Sequence, residues 1–337
     1  MTDEDHPVAE TLSDALRRGK RRLASAGSAT PGLDAEVLLR HVLGIDRTTL
    51  FVRLPEIIAP EVLAAYDDLL AERARAIPVA YLTGKREFMG LSFEVGPGVL
   101  VPRPETELLV EWAISWLGRR QREPERERVT VVDVGTGSGA IAICIGATMA
   151  PDWQGRIIAS DISPDALSVA TRNRARLDPH HHVTIVRGSL VSWLRDPVHL
   201  ILANLPYLRP EQLAQNPSLA AEPRIALDGG VDGLDLVRQL LADAPRILSP
   251  GGAIGLEIDP SQSQDVVDLA RRTFPASDVR LLQDLAGLDR HVVIQTKPGQ
   301  RQPHIAASLR HPPSPGSTRE GGKGLRANAG WWAGGQG

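Results

Sequence analysis

The chain has 337 residues, enough for two domains with a sizeable buried core. Its 38 basic and 41 acidic residues give a net charge of −3, which argues against a strongly basic nucleic-acid-binding protein. The acidic start lacks the pattern of a signal peptide, the apolar runs are too short to span a membrane, and the single Cys144 excludes an internal disulfide, so we expect a cytoplasmic protein that does not bind membranes.

The first 77 residues have a helical pattern. Apolar side chains recur there at helical spacing, and the middle segment ends at Gly44. The residues on these apolar stripes are Leu12, Leu16, Leu23, Leu63, Tyr66, Leu70 and Ile77. Because this region contains no glycine-rich loop and no metal-like cluster, we interpret it as a small domain that binds a partner.

Residues 78–104 differ in character from the helices before them. The segments 78–84 and 88–95 predict a β-hairpin linker. Pro104 is suited to begin the next helix, with Glu105 and Glu107 favourable in its first turn.

A glycine-rich turn follows the first strand of the next region. Residues 129–134 predict a buried strand, and Gly135, Gly137 and Gly139 lead from it into an apolar helix. A second strand at 156–160 ends at Asp161, whose carboxylate is suited to accept both hydroxyls of a ribose. The turn also fits a G-x-G-x-x-A pattern, so a dinucleotide site stays open at this point.

The remaining pattern predicts a parallel sheet closed by an antiparallel pair. The later strands are expected at 183–187, 198–203, 253–258, 279–282 and 291–295, with a helix at 234–248 disturbed by Pro245. No spacing of His, Cys and acidic residues predicts a metal site, and no Gly-x-Ser-x-Gly turn indicates a hydrolase.

The loop after the fourth strand carries the most specific chemistry. Asn204 and Pro206 end an apolar strand, and Tyr207 follows. The Asn204 side-chain oxygen and the Leu205 carbonyl are suited to bind the two N–H groups of a planar nitrogen and to aim it at a methyl donor. Tyr207 would pack on the flat face of the acceptor. The alternative is an ordinary exit from a strand through a turn-forming Asn.

Several motifs together resemble one family. They are residues 81–84, 88–90, 100–107, 133–139, 161–163, 204–207, 222–223 and 226–233. With these motifs, residues 10–297 resemble the release-factor glutamine methyltransferases, the HemK-like family that uses S-adenosylmethionine. The Pro-Arg-Pro-Glu-Thr-Glu segment at 102–107 and the block at 226–233 separate this family from most other methyltransferases.

The resemblance implies an α/β fold: a class I methyltransferase with a Rossmann-like seven-stranded sheet whose last strand is antiparallel. It also implies a small N-terminal helical domain at 1–77 for docking the substrate, the β-hairpin linker at 78–104 and the methyltransferase domain at 105–297. Residues 298–337, rich in Gly and Pro, are expected to form a disordered tail.

The resemblance further implies methylation of the side-chain amide nitrogen (N5) of the glutamine in the Gly-Gly-Gln motif of peptide-chain release factors, which tunes translation termination. The cofactor would be S-adenosylmethionine, and we expect a monomer without direct nucleic-acid binding. The cofactor-binding residues implied by position are Gly135, Thr136, Gly137, Ser138, Gly139, Asp161, Ser189, Leu190 and Asn204. Those implied for substrate binding are Asn204, Leu205, Pro206 and Tyr207, of which Asn204, Pro206 and Tyr207 would be catalytic.

Three alternatives stay open. An adenine N6-methyltransferase of DNA or RNA uses similar acceptor geometry but needs a basic surface. Without residues 298–337, which carry five basic residues and one acidic residue, the chain has 33 basic against 40 acidic residues, a net charge of −7. A dinucleotide-dependent oxidoreductase leaves the Asn204 loop unexplained, and a non-catalytic cofactor-binding protein is the third alternative.

Three positions depart from the family pattern. Leu205 replaces the first proline of the usual Asn-Pro-Pro-Tyr, and we expect a looser loop with retained activity because the backbone carbonyl remains. Ser189 replaces a common Asp near the adenine, which would weaken cofactor binding, and His199 replaces an Asp in the fourth strand. The tail contains Gly-Gly-Gln at 334–336, which we interpret as a coincidence; its alternatives are a pseudosubstrate and methylation of Gln336.

Overall fold

The structure is a computed structural model that describes residues 10–122 and 128–299. The helices are α1 (Leu12–Ser25), α2 (Pro31–Leu43), α3 (Arg47–Arg53), α4 (Pro60–Ala74), α5 (Val79–Thr83), α6 (Thr106–Arg120), α7 (Ala140–Thr148), α8 (Pro164–Leu177), α9 (Pro210–Gln215), α10 (Asp235–Asp243) and α11 (Ser263–Thr273). The strands are β1 (Lys85–Phe88), β2 (Leu91–Glu94), β3 (Thr130–Val134), β4 (Arg156–Asp161), β5 (Val183–Arg187), β6 (Val198–Ala203), β7 (Leu248–Glu257), β8 (Asp278–Gln283) and β9 (Asp289–Gln295). The Gly-Gly-Gln of the tail lies outside the described residues.

The helical pattern predicted near the N-terminus is confirmed. Helix α1 begins with a capping box, in which the Asp14 N–H donates to Thr11 Oγ1 and the Thr11 N–H donates to Asp14 Oδ2. Helix α2 ends at Gly44, whose φ of 64° is the left-handed conformation that glycine adopts without strain. The fully buried Tyr66 of α4 donates its hydroxyl to the Ala35 carbonyl, which joins α4 to α2 across their common core.

The predicted linker contains a hairpin, but its first segment is helical. β1 and β2 pair antiparallel through a two-residue turn at Met89 and Gly90, both with positive φ. The expectation of extended structure at 78–84 is wrong: α5 forms there because the chain turns after Pro78 and because Thr83 Oγ1 bonds back to the Val79 carbonyl.

The larger sheet has seven strands in the described part of the chain, in the order β5-β4-β3-β6-β7-β9-β8. β3 to β7 run parallel, whereas β9 is antiparallel to both β7 and β8, as predicted. Helices α6 and α7 contribute to the apolar layer on one face, and α10 and α11 to the layer on the other. The carboxyl ends of the parallel strands therefore meet at one edge, where ligands bind in such sheets.

Two predicted helix boundaries need correction. The helix expected at 234–248 ends at Asp243 and is followed by a 3₁₀ turn at Ala244–Arg246, because Pro245 has no N–H to continue the helix. The helix expected to begin at Pro104 begins at Thr106, after a turn in which the Thr106 N–H donates to the Arg103 carbonyl. Of the helices that the structure describes, none is long and apolar enough to cross a membrane.

Candidate active site

A cavity of about 670 Å³ opens at the carboxyl edge of the parallel strands. This volume lies within the usual range for small-molecule and cofactor sites. Of the predicted site residues, the cavity is lined by Gly135, Gly137, Asp161, Ser189, Leu190, Asn204, Leu205 and Pro206. The structure thus brings together residues from the ends of four strands that are far apart in the sequence.

The glycine-rich turn after β3 forms one wall. Gly135 and Gly137 have φ values of 71° and 56°, so both adopt the left-handed conformation. The N–H groups of Gly135 and Thr136 donate to the Ser160 carbonyl at 2.8 and 2.9 Å, which fixes the turn to β4. A Cβ on Gly135 would lie 3.3 Å from Leu205 Cδ2, so a side chain at this position would crowd Leu205. With glycine there, the backbone of the turn itself lines the cavity.

Three predicted cofactor residues shape this turn and do not line the cavity. The buried Thr136 donates its hydroxyl to Asp133 Oδ2 at 2.6 Å. The carbonyl of the buried Ser138 accepts from Asn173 Nδ2 at 2.9 Å. Gly139 begins α7, and a Cβ there would lie 2.6 Å from Ile143 Cδ1, so only glycine allows this packing.

Asp133 lies beneath the turn and is fully buried. Burial raises its pKa to about 7, against the lowering effect of the bonds from Thr136 and the Ala142 N–H. Its Oδ2 accepts both bonds, and its Oδ1 has no hydrogen-bond partner among the described residues. The floor of the turn therefore holds a carboxyl oxygen with unused acceptor capacity.

Asp161 stands at the end of β4. Its Oδ2 accepts from the Gly137 N–H and its Oδ1 from the Ser163 N–H, each at 2.9 Å. Each carboxylate oxygen has two lone pairs, so both can accept one more hydrogen bond from a ligand. The Asp161 carbonyl also accepts from the Gly188 N–H at 3.0 Å, which places the chain after β5 beside it.

The segment after β5 borders the cavity beside Asp161. Ser189 is exposed, and Leu190 has a φ of 47°, the left-handed conformation in a residue other than glycine. Trp193 covers Gly188 so closely that a Cβ there would lie 2.1 Å from Trp193 Nε1. The indole N–H donates to the Leu190 carbonyl at 3.1 Å and so supports the turn.

The Asn204 loop forms the remaining wall. Asn204 Nδ2 donates to Thr106 Oγ1 at 3.1 Å, and the Thr106 hydroxyl donates to Glu257 Oε2 at 2.6 Å. Leu205 is buried against the core, and the looser loop expected from the replacement of proline at this position stays a prediction. Tyr207 lies outside the cavity lining; its carbonyl accepts from Gln262 Nε2, and burial together with Glu257 raises the pKa of its phenol.

The structure accounts for His199 in β6. The ring is buried, and its Nδ1 accepts from the Thr130 N–H at 3.0 Å. The two residues lie on adjacent strands at the edge of the sheet opposite the cavity. His199 therefore holds the start of β3 and does not belong to the site.

The block at 222–233 was not assigned a role from the sequence. Glu222 is buried, accepts from the Val101 N–H at 3.0 Å and pairs with Arg103, which ties the 98–100 wall of the cavity to this block. A Cβ on Gly229 would lie 2.7 Å from the Pro206 carbonyl oxygen. The glycines of this block were the sequence signal that it approaches the Asn204 loop closely. Its residues in the cavity lining are Arg224, Ile225, Ala226, Asp228, Gly229 and Gly230.

Comparisons with known proteins agree with this architecture. The PrmC N-terminal domain model matches residues 14–84, and the ribosomal protein L11 methyltransferase (PrmA) model matches residues 110–207. The chain is 41% identical over 283 residues to the release factor glutamine methyltransferase of Moorella thermoacetica, covering 83% of this chain and 96% of that protein. It is 39% identical over 284 residues to the one of Deinococcus radiodurans, covering 83% and 97%.

Among solved structures, the fold is similar to the hMettl16 catalytic domain in complex with MAT2A 3′UTR hairpin 6. The TM-score is 0.51 at 15% identity, covering 67% of this chain and 82% of that chain. The complex of the same domain with hairpin 1 gives a TM-score of 0.50 at 14% identity, covering 68% and 83%. At such low identity the likeness shows the methyltransferase fold alone.

Proposed function

The chain belongs to the family of release factor glutamine methyltransferases, and on that premise we propose that it transfers a methyl group from S-adenosylmethionine to the N5 nitrogen of the glutamine in the Gly-Gly-Gln motif of peptide-chain release factors. The observation that carries the proposal is the match of 35–41% identity along nearly the whole length of relatives with this name. The Asn204 loop beside the cavity supports it chemically.

The residues of the cavity fit S-adenosylmethionine. The Gly135 turn offers bare backbone, Asp161 offers two acceptor oxygens suited to a ribose diol, and Asp133 Oδ1 lies unpartnered below. When bound there, the cofactor supplies an electrophilic methyl group. We propose that Ser189 and Leu190, which line the same cavity, border the adenine.

The Asn204 loop would hold the acceptor amide. An amide nitrogen is a poor nucleophile because its lone pair is delocalised into the carbonyl group. The Asn204 side-chain oxygen and the Leu205 carbonyl would each accept one N–H, which orients the nitrogen and stabilises the positive charge that develops on it. Pro206 restricts the conformation of Leu205, and Tyr207 would lie against the flat face of the amide.

We propose that the domains serve these two tasks separately. Residues 1–77, most of which fall within the PrmC N-terminal domain match, would dock the release factor. The hairpin linker at 78–104 contributes Gly98, Val99 and Leu100 to the cavity wall, and residues 105–297 would carry out the transfer. Because the Met89 N–H donates to Glu107 Oε1 at 2.8 Å, the hairpin is fixed to the start of α6.

The test is transfer of labelled methyl groups from S-adenosylmethionine to a purified release factor, beside a factor whose Gly-Gly-Gln glutamine is changed to Ala. Label on the unchanged factor alone is the expected result. Ribosomal protein L11 and adenine-containing RNA and DNA serve as alternative acceptors in parallel reactions. Label on one of these and none on the release factor would overturn the proposal, as would cofactor binding without transfer to any acceptor.

A further inference from the structure

The chain of hydrogen bonds behind Asn204 has a consequence for its side-chain amide. We propose that Thr106 and Glu257 are positioning residues that fix which end of the Asn204 amide faces the acceptor; this inference rests on the proposed function. Thr106 and Glu257 are 4% and 3% exposed, so water does not compete for their hydrogen bonds.

The fold brings the three residues together from three different elements. Asn204 follows β6, Glu257 ends the neighbouring β7, and Thr106 begins α6. The pairing of Ala203 with Leu256 places Asn204 and Glu257 side by side at the edge of the sheet. The Thr106 hydroxyl lies between them, 3.1 Å from Asn204 Nδ2 and 2.6 Å from Glu257 Oε2.

The number of available protons determines which group donates in each of these hydrogen bonds. The Thr106–Glu257 distance of 2.6 Å is typical of a hydroxyl that donates to an ionised carboxylate. A hydroxyl has one proton. Because Thr106 donates this proton to Glu257, it can only accept from Asn204. Thr106 therefore binds the NH₂ end of the Asn204 amide, and the carbonyl oxygen is left to face the cavity.

The direction matters because the two ends of an Asn amide have nearly the same shape. Without the Thr106 acceptor, rotation of the side chain by half a turn would point the NH₂ group at the acceptor nitrogen. Donor would then face donor, and the positive charge that develops during transfer would be destabilised. His291 Nε2 lies 3.6 Å from Glu257 Oε2, beyond hydrogen-bond distance, so the hydrogen-bond chain ends at Glu257.

The test compares Thr106→Val with Thr106→Ser. Val removes the acceptor at nearly constant shape, and we expect kcat for the release factor to fall roughly 10-fold to 10²-fold, as for a misplaced reacting group. The dissociation constant of S-adenosylmethionine should stay within about threefold, because the cofactor wall is untouched. Ser keeps the hydroxyl and should restore most of the rate.

Thr273→Val is the matched control for a lost buried hydroxyl. Thr273 is fully buried in α11, and its hydroxyl donates to the Leu269 carbonyl at 2.9 Å, away from the cavity. We expect it to change thermal stability without changing kcat. An equal loss of kcat in Thr106→Val and Thr273→Val would show a general effect of packing and overturn the inference.

A double variant separates positioning from packing. In the Asn204→Ala background, Thr106→Val should cost about twofold or less in kcat, because the group that it orients is already gone. Glu257→Gln should lower kcat in the native background by less than Thr106→Val, since a Gln amide can either accept or donate. The same loss from Thr106→Val in both backgrounds would contradict the inference.

A readout without any acceptor keeps this inference distinct from the proposed function. The Asn204 side-chain NH₂ signal, identified in nuclear magnetic resonance spectra by its loss in Asn204→Ala, should exchange slowly with solvent and shift in Thr106→Val but not in Thr273→Val. If the release factor is not methylated and this signal behaves as expected, the proposed function fails and the orientation stands. An unchanged signal in Thr106→Val overturns the orientation.

Discussion

The two sides of the cavity are built from different chemical groups. The side proposed to bind the cofactor depends mainly on the backbone, with glycines in left-handed conformations and with the N–H groups of Gly137 and Ser163 bonded to the Asp161 carboxylate. The acceptor side depends on side chains, with Asn204 held by Thr106 from 98 residues away. A site made of backbone tolerates changes in neighbouring side chains, whereas a site made of one side chain depends on every partner that orients it.

The largest effect expected from this comparison is that of Asn204→Ala. Loss of one preorganised group that stabilises developing charge costs about 10² to 10³ in rate. We expect kcat for the release factor to fall by that factor, measured with saturating labelled cofactor. The dissociation constant of S-adenosylmethionine should change much less than kcat, because Asp161 and the Gly135 turn remain although Asn204 also lines the cavity. Comparable losses in both quantities would mean that the two sides are not separable.

For Asp161→Ala, on the cofactor side, we expect a loss of cofactor affinity without a loss of kcat. A hydrogen bond to a charged group contributes about 1.5–3 kcal/mol, so the loss of even one of the two ribose bonds should lower cofactor affinity roughly 10-fold to 10²-fold. Titration calorimetry measures the affinity, and kcat at saturating cofactor should stay near the native value. Asp46→Ala is the control, since the Asp46 carboxylate accepts from the Thr49 N–H at the start of α3 and lies outside the cavity lining. A fall in kcat alone would contradict the assignment.

The same contrast explains what the sequence could predict. The positions of the strands along the chain, the Gly135 turn and Asp161 follow from local signals: an apolar run, a glycine pattern and a carboxylate after a strand. The Thr106–Glu257 bond joins residues 151 apart, and the bond from the Val101 N–H to Glu222 joins residues 121 apart. Neither bond follows from a local pattern, because each exists only once the sheet and the helices have packed.

His199 illustrates how a family pattern differs from a physical reason. The sequence could not explain why His199 departs from the family pattern, because its ring accepts from a backbone N–H of β3. Every residue except proline has such an N–H, so the sequence does not mark this partner. In contrast, helix α5 was missed because its local signals were ambiguous. Pro78 before it and Gly84 after it are both compatible with a turn or a strand end, and tertiary packing of α5 against α2 decides between them.

Asp133 allows the cofactor side to be tested through pH. Burial raises its pKa to about 7 in the folded chain, whereas in the unfolded chain it titrates near 3.8. Between these values the folded state binds one proton more, so the free energy of unfolding should decrease as pH rises, by at most roughly 1.4 kcal/mol per pH unit.

Asp133→Asn removes this titration and keeps an oxygen for Thr136 and Ala142. We therefore expect the midpoint of thermal unfolding to decrease less between pH 5 and pH 8 in this variant than in the native chain. Asp46→Asn should retain the native dependence, because Asp46 is exposed and the bond from the Thr49 N–H lowers its pKa, so it stays ionised throughout this range. Identical pH profiles for Asp133→Asn and the native chain would show that Asp133 ionises at its ordinary pKa despite burial.

The smallest effect is expected at Leu205, the residue shared by both sides. Its backbone carbonyl would bind the proposed acceptor, and its side chain packs against the Gly135 turn. Leu205→Pro keeps the carbonyl and shortens the apolar contact, so kcat should change by about threefold or less, as for a substitution that leaves the reacting groups in place. The KM for the cofactor should change more than the KM for the release factor, because only the side chain is altered. The reverse result would mean that the Leu205 side chain contacts the acceptor. Leu205 would then belong to the acceptor side of the cavity with both its backbone and its side chain.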